Sequence, residues 1–146
     1  AKAANPAAAF EGTFTVRTQP THNDLPNGGC NNADFRSVAL RGSGHSTLMD
    51  VTHARFFHCE ETAANTDDPS EYNVVNGWLE LTDDAGNRIV ASYQGEHVVA
   101  ARDTLRGTFI LTEGGGDFAG VQGNGCFRAI STGNFGEYAL ELRGEM

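Results

Sequence analysis

Apolar and polar residues alternate along short segments of this chain, as they do in strands that bury one face. The clearest case lies near the start, where polar residues separate Phe10, Gly12, Phe14 and Val16. The last segment repeats the pattern at Tyr138, Leu140 and Leu142. A helical period holds for three turns almost nowhere. We therefore predict an all-β chain.

Clusters of Gly, Asn, Asp and Pro separate the strand candidates. These candidates are 10–18, 34–42, 47–59, 72–82, 87–98, 103–112, 119–130 and 135–145. The fourth and fifth form the best hairpin, across a turn at 83–87. An even number of antiparallel strands can close the first onto the last and remove exposed edges. We predict a single eight-stranded antiparallel closed β-barrel over 10–146, preceded by an extended tail at 1–9.

The interior of an eight-stranded barrel is either filled by side chains or just large enough for one small ligand. Four aromatic residues are candidates to line such a cavity: Trp78, Tyr93, Phe109 and Phe118. Large aromatic residues at strand period are more often plain core. The pattern therefore leaves a filled barrel and a ligand-binding barrel open.

Glycine recurs around one aromatic residue between positions 114 and 125. Glycine permits positive φ and close backbone approach, so this run predicts a corner of the barrel. The corner glycines are Gly114, Gly116, Gly120, Gly123 and Gly125.

This glycine run resembles the closing hairpin of the allene oxide cyclase barrel-like superfamily, which includes dirigent proteins and spirotetronate cyclases. The stretch 42–48, Gly-Ser-Gly-His-Ser-Thr-Leu, is similar to a signature of its small secreted bacterial members. The resemblance implies the barrel fold. It also implies that a cyclase of this kind would shape an apolar ligand with few catalytic groups. No catalytic residue is carried over, because Asp117 stands where those bacterial members commonly carry Arg.

Composition limits the partners of the chain. Its 146 residues fit one domain, and 39% hydrophobic and 20% charged residues are typical of a globular protein. The formal charge of -9, with Lys2 as the sole lysine, argues against nucleic acid, which requires clustered basic residues. No apolar run reaches the length of a membrane-spanning helix.

The cysteines and the start of the chain predict secretion. A chain that begins Ala1-Lys2 is typical of a polypeptide from which a signal peptide has been removed. In an oxidising compartment, Cys30 and Cys59 are the expected disulfide. For Cys126 we favour a small buried hydrophobic residue over a reactive thiol.

Motifs for catalysis are sparse. The five histidines lack the spacing of a zinc site, and the acidic turns match no calcium loop, so we predict neither metal nor cofactor. Hydrolase elbows and phosphate loops are missing from the sequence. A general acid or base at the barrel mouth is conceivable, although we favour surface positions for its four candidates: His53, Glu60, Glu80 and His97.

The tail suggests assembly. Residues 1–9 contain six alanines and one proline, so they cannot build a core and need a docking surface to be ordered. The residues that would dock on a neighbour are Ala1, Lys2, Ala3, Ala4, Asn5 and Pro6. We expect a secreted, non-catalytic barrel that self-associates into a homo-oligomer or polymer, such as a fibre or surface layer. The alternatives are a cofactor-independent cyclase or isomerase, or a carrier, for an apolar small molecule held inside the barrel.

Overall fold

The chain forms one closed antiparallel barrel of eight strands, seen in a computed structural model that describes residues 9–19, 30, 36–49, 52–62 and 71–146. Neighbouring strands follow the chain order around the barrel. The strands are β1 (Ala9–Gln19), β2 (Arg36–Ser46), β3 (Thr52–Thr62), β4 (Glu71–Thr82), β5 (Arg88–Val98), β6 (Thr104–Gly115), β7 (Asn124–Ser131) and β8 (Glu137–Glu145). One 3-10 turn, 116–118, follows β6. The predicted fold is confirmed.

Closure depends on β1, which pairs with both β2 and β8. Phe14 lies opposite Gly44 on one side and opposite Leu140 on the other. Because each edge of β1 has a partner, the first strand meets the last as predicted.

Aromatic rings fill the middle of the barrel. Tyr93 contacts Phe56 and Phe127, with ring centroids 5.9 Å and 5.2 Å apart, and Phe10 contacts Phe109 at 6.5 Å. All five are buried. Gly77 lies opposite Tyr93, and a Cβ on Gly77 would fall 2.6 Å from the ring, so this glycine makes the space that the ring occupies.

Three strand boundaries differ most from the prediction, and each lies in or beside a glycine-containing segment. β2 continues past Gly42 and Gly44, whose Cα atoms lie against the backbone of β1; a Cβ on either residue would fall within 2 Å of a β1 carbonyl oxygen. β3 accordingly begins at Thr52 rather than at 47. β7 begins at Asn124 rather than at 119, since the glycine-rich segment forms the connection before it.

The β4–β5 hairpin is confirmed. The Asp83 carboxylate accepts hydrogen bonds from the backbone N–H of Ala85 at 3.0 Å and of Asn87 at 2.9 Å. Gly86 has φ 87, the left-handed conformation that this turn requires.

The two ends of the barrel differ. The odd-numbered strands β1, β3, β5 and β7 all finish at the same end of the barrel, which is here called the polar end. The opposite end, where β1 starts and β8 finishes, is called the terminal end.

The predicted disulfide is confirmed: Cys30 bonds to Cys59 of β3, with Cα atoms 5.7 Å apart. It braces the polar end. The predicted docking tail, 1–6, lies outside the described residues.

Candidate functional site

Four ionisable side chains meet inside the polar end, at inward-facing positions of β3 and β5. Nδ1 of His58 lies 2.7 Å from the Tyr93 hydroxyl, and Nε2 of His58 lies 2.8 Å from Glu60 Oε2. Nδ1 of His97 lies 2.9 Å from both Glu60 oxygens. His58 and Glu60 are 0% and 1% exposed, so this contact is shielded from water.

The cluster continues towards solvent through the β5–β6 turn. Nε2 of His97 contacts the Asp103 carboxylate, which also accepts a hydrogen bond of 2.7 Å from the Tyr138 hydroxyl. Asp103 has φ 51 and a side chain that is 35% exposed. We call the series Tyr93, His58, Glu60, His97, Asp103 and Tyr138 the buried polar chain.

The pKa shifts within the buried polar chain indicate which of its groups carry a proton. Burial alone would raise the pKa of Glu60, but hydrogen bonds and charge from His58 and His97 hold it well below its ordinary value. Burial would lower the pKa of His97, but Glu60 and then Asp103 raise it. Burial, and next the charge of Glu60, raise the pKa of Tyr93 well above 10.0. Glu60 is therefore a carboxylate, and Tyr93 keeps its proton.

The ionised Glu60 carboxylate fixes the direction of the hydrogen bonds that it makes. It accepts from Nε2–H of His58, and Nδ1 of His58 shares a hydrogen bond with the Tyr93 hydroxyl. His97 donates from both ring nitrogens, to Glu60 and to Asp103, as a cationic imidazolium does. Within the described part of the chain, no buried side-chain nitrogen or oxygen lacks a hydrogen-bond partner. The buried polar chain can brace the barrel, and it connects Tyr93 in the interior to Asp103 near the surface.

The four acid–base candidates from the sequence divide between the two faces of the barrel. Glu60 and His97 point inward and meet, contrary to the surface positions that we favoured. His53 is exposed, 3.2 Å from Asp84, and Glu80 lies on the outer face, 2.6 Å from Arg88. Glu80 therefore belongs to a surface ion pair with Arg88, and His53 to a separate surface contact with Asp84.

The sequence analysis missed three members of the buried polar chain: His58, Asp103 and Tyr138. A signal for His58 existed, because Ala54, Phe56 and His58 share the inward face of β3 at period two. Asp103 lies in a turn, where alternation carries no information.

The aromatic candidates also occupy different places. Tyr93 and Phe109 are buried in the interior, and Phe118 is partly buried against the core from the β6–β7 connection. Trp78 is on the outer face, contrary to the predicted cavity position: it lies opposite exposed Ser92, with the Arg55 guanidinium 5.5 Å from its ring centroid. The β4 bulge accounts for this, since the strand register shifts between Val74 and Gly77.

Cys126 also departs from the sequence prediction. It is exposed rather than buried, because its neighbours Gly125 and Phe127 take the inward positions of β7.

The predicted corner glycines surround a groove at the terminal end. Gly116 and Gly120 have positive φ, 63 and 78. A Cβ at Gly114, Gly123 or Gly125 would collide with a backbone carbonyl oxygen about 2 Å away. Between residues 110–114 of β6 and residues 120–123 of the connection lies an open groove, here called the β6 groove.

Two negative findings concern only the described ranges. Within them, no group of three or more His, Cys, Asp or Glu side chains is arranged to hold a metal ion. No helix there is long and apolar enough to cross a bilayer.

Comparison with known proteins found no matching family model, no matching curated protein and no matching solved structure. The resemblance to the allene oxide cyclase barrel-like superfamily stays a prediction from the sequence.

Proposed function

We propose that this chain is an extracellular, non-catalytic β-barrel subunit of a larger assembly, such as a fibre or surface layer, in which the N-terminal tail of one subunit docks on a neighbour. The observation that carries the proposal is the filled interior. Phe10, Phe56, Tyr93, Phe109 and Phe127 occupy the middle of the barrel, where a ligand-binding barrel keeps room for its ligand. A barrel filled in this way acts through its outer surface.

The pairing within the buried polar chain supports the same conclusion. Glu60 is held between His58 and His97, and the Tyr93 hydroxyl is hydrogen-bonded to His58. Groups that bond to one another present few free protons or lone pairs to a substrate. The chain of bonds then serves to close the polar end and keep the barrel rigid.

The disulfide supports an extracellular location. Bonds of this kind form and persist in oxidising compartments, and Cys30 and Cys59 are linked. A braced, closed barrel is also a durable building block, because its eight described strands each have a partner on both sides and leave no long edge among them for unwanted partners.

The test compares the intact chain with a variant that lacks residues 1–8. The deletion stops before Ala9 because Ala9 pairs with Glu145 in the barrel wall. Light scattering after size exclusion, with electron microscopy, should show assemblies for the intact chain and a folded monomer for the variant. An intact chain that is monomeric at every concentration contradicts the proposal.

A second function, a cofactor-independent cyclase or isomerase for an apolar small molecule, is favoured by one observation. The buried polar chain joins Glu60, a carboxylate of lowered pKa, to His97, an imidazole of raised pKa, a combination that also occurs in acid–base active sites. In this reading His97 is the acid, and the carboxylates of Glu60 and Asp103 hold its ring in place.

An apolar fluorescent probe separates the two functions. The second requires the native barrel to bind 8-anilinonaphthalene-1-sulfonate at its polar end, and Tyr93→Phe to change that binding. Native protein that leaves the probe fluorescence unchanged contradicts the second function and is the result that the first function predicts.

A further inference from the structure

The wall of the barrel is incomplete along one side of β6. Pairing between β6 and β7 ends at Ile110, whereas pairing between β6 and β5 continues to Gly115. Past the β6–β7 ladder, Leu111 N–H donates to Gly123 O at 2.9 Å, and the connection contacts β6 again where the Phe118 carbonyl lies against Gly114. In the described part of the chain, the ladder with β7 does not reach residues 112–115, so they form a short strand edge beside the β6 groove.

The β6 groove offers both apolar and acidic contacts. Ile110 is 60% exposed on the outer face at one end of the groove. Val121 lines the opposite side and also packs against the core. Glu113 lies at the rim with a side chain that is 61% exposed and an ion pair of 2.8 Å to Arg88.

We propose that the β6 groove of one subunit binds residues 1–8 of a second copy as an added β-strand. The inference rests on the proposed function and names the surface on which the tail docks. In strand addition, main-chain hydrogen bonds supply most of the affinity, so a segment of small side chains is suitable.

The chemistry of residues 1–8 fits this groove. The segment is mostly alanine, which a shallow groove accommodates, and Lys2 is its one charged residue. The chain has a formal charge of -9, and the carboxylate that Lys2 would meet in the groove is Glu113, which it would share with Arg88. Pro6 is compatible with an added strand, because one side of that strand has no ladder to donate to.

The distance between the start of β1 and the β6 groove favours docking of the tail on a second copy over docking on its own barrel. Ala9, Glu145, Asn124 and Ile110 are successive partners across β1, β8, β7 and β6. Three strand spacings, about 14 Å, therefore separate the start of β1 from the groove. Spanning them at about 3.5 Å per residue uses about four residues of the segment. A neighbouring barrel leaves the whole segment free to pair.

Mixed-isotope cross-linking tests the inference. Chains labelled with ¹⁵N and unlabelled chains are assembled together and treated with a water-soluble carbodiimide, which joins the Lys2 amine to a nearby carboxylate. Mass spectrometry should find Lys2 joined to Glu113 in mixed pairs, one peptide labelled and the other not. Products joined only within one isotope class show that the segment docks on its own barrel and overturn the inference.

A matched pair of surface variants supplies the second measurement. Ile110→Arg places positive charge in the groove, and Val99→Arg does the same at an exposed apolar residue of the polar end. We expect Ile110→Arg to raise the concentration at half-assembly about tenfold or more, with Val99→Arg close to the original chain. Assembly that is unaffected by Ile110→Arg, while still lost on deletion of residues 1–8, refutes the groove and leaves the proposed function standing. Wild-type chain that never assembles refutes the proposed function itself.

Discussion

Glu60 lies between two imidazoles, with Nε2 of His58 at 2.8 Å and Nδ1 of His97 at 2.9 Å. A buried carboxylate is tolerated only when its partners replace the hydration that it loses. At the level of single residues, the polar end of the barrel therefore depends on this contact.

Glu60→Gln should destabilise the protein by about 3–5 kcal/mol, because it leaves the buried His97 cation without its main counter-charge. Glu80→Gln is the matched control. Glu80 pairs with Arg55 and Arg88 on the outer surface, so its loss should cost about 1 kcal/mol or less. Urea unfolding monitored by circular dichroism measures both. Equal losses from the two variants would show that burial adds nothing to the Glu60 contact.

The pKa shifts of Glu60 and His97 predict a stability maximum between their ordinary values, 4.5 and 6.5. The folded pKa of Glu60 is lowered, so its contribution is present above 4.5 and is lost as the pH falls through the folded value. The folded pKa of His97 is raised, so its contribution is present below 6.5 and is lost as the pH rises through the folded value.

Unfolding free energy measured by urea titration at pH values from below 4.5 to above 6.5 checks the prediction. His97→Gln should flatten the decline on the alkaline side and leave a decline on the acidic side. A wild-type curve that keeps rising above 6.5 would contradict the assigned His97 cation.

Alternation of apolar residues is enough to place Glu60 and His97 on strands, but the contact between them depends on how β3 and β5 are positioned across the barrel. Those two strands are not neighbours, since β4 lies between them. A pattern local to one strand carries no information on such a contact. The sequence therefore identified two members of the buried polar chain, Glu60 and His97, as acid–base candidates without bringing them together.

At the level of elements, the disulfide joins β3 to the segment before β2. Cys30 and Cys59 are 29 residues apart, and closing a loop of that size should stabilise the fold by about 3–4 kcal/mol. Cys30→Ser together with Cys59→Ser should lower the unfolding free energy by that amount. Cys126→Ser is the control, because Cys126 is exposed and outside the bridge.

Alkylation checks the pairing directly. Without reductant, intact mass should show one thiol modified, and after reduction it should show three. Three modified thiols before reduction would contradict the bridge.

Strand boundaries were predictable where ordinary turn residues end a strand, as at Asp83 and Gly86 in the β4–β5 hairpin. They were not predictable where glycine serves close packing instead. Gly42 and Gly44 remain in β2 because the backbone of β1 passes within contact distance of their Cα atoms. Glycine has the same local signature in both roles, and the neighbouring strand decides between them.

At the level of the whole molecule, the formal charge of -9 opposes association of like subunits. The proposed contact at Lys2 contributes one attractive charge, which is small beside the repulsion between two acidic barrels. Salt shortens the range of both the attraction at Lys2 and the repulsion between the barrels, from about 30 Å at 0.01 M to about 8 Å at 0.15 M. Because the repulsion is the larger of the two, its screening should dominate.

We therefore expect the intact chain to assemble at lower protein concentration as NaCl rises from about 0.01 to 0.15 M. Light scattering across a dilution series at each salt concentration measures this shift. The chain lacking residues 1–8 is the control, since it should stay monomeric throughout if salt acts on tail-mediated association. Assemblies that disperse with added salt would mean that ion pairs between subunits outweigh the net repulsion, and would require a more extensive charged interface than Lys2 and the rim of the β6 groove supply.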